Sequence, residues 1–128
     1  MASRHCVIDS SVFVAFYRDI DTLHRAAVRV MQELSSDVLI VHPYVIQETT
    51  TVLAYGAGLP VAKKFLTDIT TASNIIIPPL NIQQDIKLFS YSRAKLSFTD
   101  IVLIGLAKEM GVPLVTFDRQ MLALSKKF

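Results

Sequence analysis

At 128 residues the chain is long enough to support one hydrophobic core, and a single domain spanning 1–128 is expected. Hydrophobic residues make up 52% of it. The longest uninterrupted apolar stretch, Ile101 to Ala107, is nevertheless far short of the roughly 18 residues of a membrane span. The N-terminus shows no signal-peptide pattern. One cysteine, Cys6, excludes an intramolecular disulfide framework and a multi-cysteine zinc site, so a cytoplasmic protein with no membrane partner is expected. A net charge of +2 and a pI near 8.8 are compatible with nucleic acid but do not establish it. Basic residues run together only at Lys63-Lys64 and Lys126-Lys127.

Short β-like runs alternate with longer helical ones. His5–Ile8 reads as a strand and leads into a helix from Ser10 or Ser11 to about Arg18. A second helix follows Asp21, with Leu23, Ala27, Val30, Met31 and Leu34 at helical spacing. Val38–Val41 is the second strand, and Pro43 suits the first turn of the helix that carries Glu48. Pro60 opens another helix, and Ile75–Ile77 is a third strand stopped by Pro78-Pro79. Helices then span about Ile82–Lys95 and Ser97–Met110, the latter ended by Gly111 and Pro113. Leu114–Phe117 is the fourth strand, and Arg119 begins a short final helix. Near-continuous apolar strands separated by helices predict a three-layer α/β/α domain around a mostly parallel sheet of four or five strands.

Four of the eleven acidic residues fall where this pattern passes from strand to helix, or within a following helix. Asp9 ends the first strand and Asp118 the fourth, so both belong to the same edge of a parallel sheet, where sites of this fold class form. Glu48 lies on the helix after the second strand and Asp100 in the first turn of its own helix. Each has an ordinary explanation: Asp9 as a strand terminator, Asp118 as a helix N-cap, Asp100 as half of a capping box with Ser97. Convergence of all four on one edge is harder to explain that way. Carboxylates set against a core are costly without a positive partner, and no Lys or Arg in these segments serves all four.

Oxygen-only donors point to Mg²⁺ or Mn²⁺ rather than zinc or copper. Such an ion lowers the pKa of a bound water and stabilises charge on a phosphoryl oxygen, which phosphodiester hydrolysis needs. The three histidines, His5, His24 and His42, have no partner at metal-ligand spacing. No dinucleotide fingerprint, phosphate loop or serine-hydrolase elbow is present.

Val7-Ile8-Asp9-Ser10-Ser11, Glu48, Leu96-Ser97-Phe98-Thr99-Asp100 and Leu114-Val115-Thr116-Phe117-Asp118 together resemble the PIN-domain nucleases. The likeness is closest to the toxin ribonucleases of toxin–antitoxin pairs and spans nearly the whole chain. The resemblance implies that Asp9, Asp100 and Asp118 coordinate or orient Mg²⁺ or Mn²⁺, with Glu48 completing the site through a water. It implies that Ser11 and Thr116 support those acids. It further implies cleavage of single-stranded RNA leaving 5′-phosphate and 3′-hydroxyl ends, a homodimer, and an antitoxin partner. Arg93, Lys95 and Arg119 are the nearest basic candidates for gripping phosphates. The apolar stripes of Asp21–Leu34 and Pro60–Ile69 are candidates for partner contact, against their ordinary role as core-facing surfaces. Two rivals stand beside the nuclease. One is a catalytically silent PIN-like scaffold. The other is a receiver-like signalling domain, which lacks here its acidic pair and late-strand lysine.

Overall fold

The computed structural model describes residues 4–127. Its elements run β1 (His5–Ile8), α1 (Ser10–Tyr17), α2 (His24–Glu33), β2 (Val38–Ile40), α3 (Pro43–Gly56), α4 (Leu59–Thr71), β3 (Ile75–Ile76), α5 (Ile82–Tyr91), α6 (Phe98–Met110), β4 (Leu114–Val115) and α7 (Arg119–Ser125). The four strands form one sheet in the order β3-β2-β1-β4, and every pairing is parallel. Cys6, Val7 and Ile8 of β1 and Leu39 and Ile40 of β2 are all buried. Successive strand residues point to opposite faces, so both faces of the sheet must be covered.

The helices supply that cover in two groups. α1 packs on α2 and α3, and α3 on α4, while α5 packs on α6 and α6 on α7. Right-handed crossovers put these groups on opposite faces: the chain passes β1→β2→β3 in one direction, then returns past β1 to reach β4. The reversal falls between β1 and β4. That is where a site is expected in an open parallel sheet, and the turns after these two strands carry Asp9 and Asp118.

Local chemistry fixes the element ends. Pro43 occupies the first turn of α3, where its missing N–H costs nothing. Ser97 caps α6 by accepting the Asp100 N–H, and Gly111 ends that helix at φ 66°, a left-handed conformation that glycine adopts without a Cβ penalty. Several elements are shorter than expected because polar groups divert the backbone. Asp21 accepts the Leu23 N–H, delaying α2 to His24. Ser92 accepts the Ala94 N–H just after α5 ends at Tyr91. β4 stops at Val115 because the Phe117 N–H goes to Ser11 Oγ instead of a strand carbonyl. The apolar stripes take their ordinary core-facing role: Ala62, Phe65 and Ile69 of α4 are core, and Val30, Met31 and Leu34 lie against it.

Candidate active site at the carboxyl edge

Asp9 is 5% exposed and sits at the N-cap of α1, yet its side chain makes no capping bond. Its own N–H donates to Val115 O at 2.9 Å, which stitches the β1–α1 turn to β4. Its Oδ2 accepts two hydroxyls, from Ser11 and from Thr116, each at 2.8 Å. Each hydroxyl oxygen in turn accepts a backbone amide: Phe117 N–H on Ser11 at 3.1 Å and Asp118 N–H on Thr116 at 3.0 Å. Each hydroxyl has one hydrogen, and both are spent on Asp9. The turn after β4 is thereby welded to the turn after β1 through a single carboxylate oxygen.

The other three acids surround this turn. Asp118 is exposed and caps α7 by accepting the Met121 N–H on Oδ1 at 3.0 Å. Glu48 reaches across from α3, and its Oε2 accepts Ser10 Oγ–H at 3.1 Å. Asp100, in the first turn of α6, is partly buried. Asp9 Oδ1, Glu48 Oε1 and Asp118 Oδ2 have no hydrogen bond among the described residues.

The acids sense one another. Burial raises the Asp100 carboxyl above its ordinary range, the Asp9 and Asp118 charges add to this, and hydrogen bonds to Ser97 oppose it. Burial also raises Glu48, although the residue as a whole is exposed. The Ser10 bond opposes that rise, and the charges of Asp9 and Asp100 reinforce it. Neither ion pair among the described residues, Arg4–Asp37 or Lys64–Asp68, involves them. Negative charge is therefore concentrated on this edge without an ion-pair partner among the described residues. The donor set is all oxygen, which fits a hard divalent cation. As the side chains are placed, no three such groups among the described residues stand close enough to hold one. Each of the four carboxylates is engaged by protein hydrogen bonds, and neither ion pair among the described residues offsets their repulsion.

Arg93 and Lys95 are exposed on the α5–α6 connection, and Arg119 is exposed at the start of α7, beside Asp118. His42 is buried at the N-cap of α3, where Nδ1 accepts the Tyr44 N–H at 3.0 Å. Burial lowers its pKa against the pull of Asp85, which suits an acceptor. In the sequence Ser10 stands as a possible first residue of the helix and within the Val7–Ser11 run, with no role at the site. Its contact with Glu48 depends on the packing of α1 against α3, which no local pattern encodes. A cavity of about 760 Å³ lies between α5 and α6, but none of the four acids lines it.

A family model for the PIN domain matches residues 6–127. The chain belongs to the PIN domain family. Among solved structures, this PIN domain is similar to VapC20 of Mycobacterium tuberculosis, a toxin that cleaves the sarcin–ricin loop. The TM-score is 0.80, over 93% of this chain and 94% of that one, at 18% sequence identity. A likeness at that identity is one of fold. A search of curated protein sequences returns no match.

Proposed function

We propose that this PIN domain is a metal-dependent endoribonuclease that hydrolyses phosphodiester bonds of single-stranded RNA, as the toxin of a toxin–antitoxin pair. The observation that carries this reading is Asp9: buried, held on one oxygen by Ser11 and Thr116, with no hydrogen bond on the other oxygen among the described residues. A carboxylate so placed costs stability unless it serves a ligand. Asp9, Asp100 and Asp118 would hold Mg²⁺ or Mn²⁺, with Glu48 joining through a water. When bound, the ion supplies a water of lowered pKa and neutralises charge developing on the phosphoryl oxygen.

The chain's own groups have separate tasks. Ser11 and Thr116 donate to Asp9 and keep its orientation fixed. Ser10 does the same for Glu48. Arg93, Lys95 and Arg119 are assigned to backbone phosphates, which position a strand without reading its sequence. The resemblance to VapC20, named for cleaving an RNA loop, supports RNA as the substrate class, structured loops included. An antitoxin partner, a homodimer and a cytoplasmic location belong to the same reading. No helix among the described residues is long and apolar enough to cross a membrane.

The experiment is cleavage of a mixed single-stranded RNA pool by purified protein in Mn²⁺, Mg²⁺ or EDTA, with an Asp9→Asn/Asp100→Asn variant alongside. Metal-dependent cutting that the variant loses is the expected result. One observation favours the rival scaffold: no three acids converge as they stand. Intact RNA under every condition, with RNA still bound, is the outcome that scaffold predicts.

A further inference from the structure

α5 presents a puzzle that the acidic edge leaves unexplained. Every residue of this helix is exposed except Asp85, which is 9% exposed. A lone buried carboxylate on an otherwise solvated helix requires a reason. Its partner is Tyr44, whose hydroxyl donates to Asp85 Oδ2 at 2.9 Å. Burial and this bond push the tyrosine up to about 12, so it stays a neutral donor. Two further contacts seat α5. Leu88 lies over Gly105 of α6, where a Cβ would collide with it, and Phe89 packs on Phe98.

These contacts build a continuous run of rings. His42 meets Tyr44 at 4.4 Å between centroids, Tyr44 meets Phe98 at 5.8 Å, and Phe98 meets Phe89 at 5.5 Å, all tilted by about 47–56°. The run starts on a buried histidine and ends on Phe89, which is 41% exposed. It also borders the acids. Tyr44 and Glu48 are four residues apart on α3, hence on the same helix face one turn apart. Phe98 opens the helix whose first turn contains Asp100. Glu48 feels the charge of Asp100, while Tyr44 and Phe98 touch. The aromatic pair thus lies beside the acidic pair across the same α3–α6 approach. Arg93 and Lys95, exposed and outside both ion pairs of the described residues, follow directly along the chain from α5.

We propose that Phe89, backed by Phe98 and Tyr44, is a stacking platform for a nucleobase of the single-stranded RNA whose backbone lies on the acidic edge. Asp85 is the positioning residue that holds the platform through Tyr44. Exposed aromatics interleaved with basic side chains are what a single-stranded nucleic acid needs, because every base has a π-face and every linkage a charge. The platform favours unpaired over paired segments, since only an unstacked base can leave its neighbours for a protein ring. The inference rests on the nuclease reading, which identifies the acidic edge as the place of the phosphate.

The test compares wild type with Phe89→Leu and Phe89→Trp for binding, in EDTA, of a mixed-sequence single-stranded RNA and of an abasic ribose-phosphate strand of equal length and charge. Cleavage by each protein is measured in Mn²⁺. Phe89→Leu is expected to weaken RNA binding about 5-fold or more and to raise KM more than it lowers kcat. Phe89→Trp should keep or tighten binding, and the abasic strand should bind all three proteins alike. Asp85→Asn, which keeps a hydrogen-bond acceptor for Tyr44, should behave as wild type, whereas Asp85→Ala should resemble Phe89→Leu. Equal RNA binding by wild type and Phe89→Leu overturns the platform, as does an equal loss on the abasic strand. Should Phe89→Leu leave RNA binding intact but convert a dimer to monomers in sedimentation, the face belongs to a second copy. Wild-type protein that neither binds nor cuts RNA removes the nuclease reading itself. Wild-type protein that cuts while Phe89 proves indifferent removes only the platform.

Discussion

Two turns of this molecule look alike in sequence and differ in physical role. Each follows a parallel strand, carries an aspartate and opens a helix, and the two lie on either side of the sheet's reversal point. Asp118 is exposed and satisfies an orphan amide of α7, a bond that stabilises. Asp9 is buried, caps nothing, and consumes the hydroxyls of Ser11 and Thr116. One carboxylate caps the start of a helix. The other is buried with one oxygen holding two hydroxyls, and on the proposed reading a cation would take up its charge.

Substitutions separate the two most sharply in activity. Asp9→Asn should lower RNA cleavage by about 100-fold or more, the scale of removing a group that fixes transition-state charge, while circular dichroism shows the fold unchanged. Asp118→Asn retains a good N-cap and removes only charge, so cleavage should fall without loss of stability. Asp118→Ala should add a cost of about 1 kcal/mol in denaturant unfolding. If Asp9→Asn cleaves like wild type, the distinction between the turns has no functional meaning.

Thr116 joins the two turns and should report on both. Thr116→Val removes a donor to a charged acceptor and an acceptor for the Asp118 amide. A loss of about 1–3 kcal/mol in urea unfolding is expected, with cleavage falling alongside. Thr116→Ser should restore most of both. A neutral valine variant would show that Ser11 alone holds Asp9.

A smaller effect lies in pH. Glu48 and Asp100 both have carboxyls raised above the ordinary range, chiefly by burial. Between the unfolded value, about 4, and the raised folded value, the folded chain keeps protons that the unfolded chain has lost. Metal-free stability should therefore fall as pH rises through that window. Asp100→Asn should flatten the fall and raise the metal-free stability at neutral pH by about 1 kcal/mol. A pH profile indifferent to that substitution would remove the repulsion from the account. The smallest change expected is in salt dependence: combining Arg93→Ala, Lys95→Ala and Arg119→Ala should weaken RNA binding and lower its salt slope by up to about 0.7 per lost phosphate contact. An unchanged slope would free these residues from any phosphate role.

Much of this was legible beforehand because it is local. Alternating apolar strands and helices gave the parallel sheet, and strand ends set Asp9 and Asp118 on one edge. The Ser97–Asp100 cap and the Gly111 stop follow from spacing alone. What escaped depends on tertiary approach. Ser10 meets Glu48 only because α1 packs on α3, and β4 ends early because Ser11, more than a hundred residues away, captures the Phe117 amide. Asp85 was a missed signal, a carboxylate among Ile82, Ile86, Leu88 and Phe89, where its burial against Tyr44 resolves the mismatch.

Whether the acidic edge holds a cation can be tested by thermal melting, without any substrate. Wild-type protein and Asp9→Asn/Asp100→Asn would be melted across a Mg²⁺ and Mn²⁺ titration, with EDTA as reference. A ligand at 100 times its Kd adds about 2.7 kcal/mol to a one-site protein, so wild-type Tm should climb with metal and return in EDTA while the variant stays flat. A wild-type Tm unmoved by millimolar metal, or a variant that climbs equally, would contradict a cation site there.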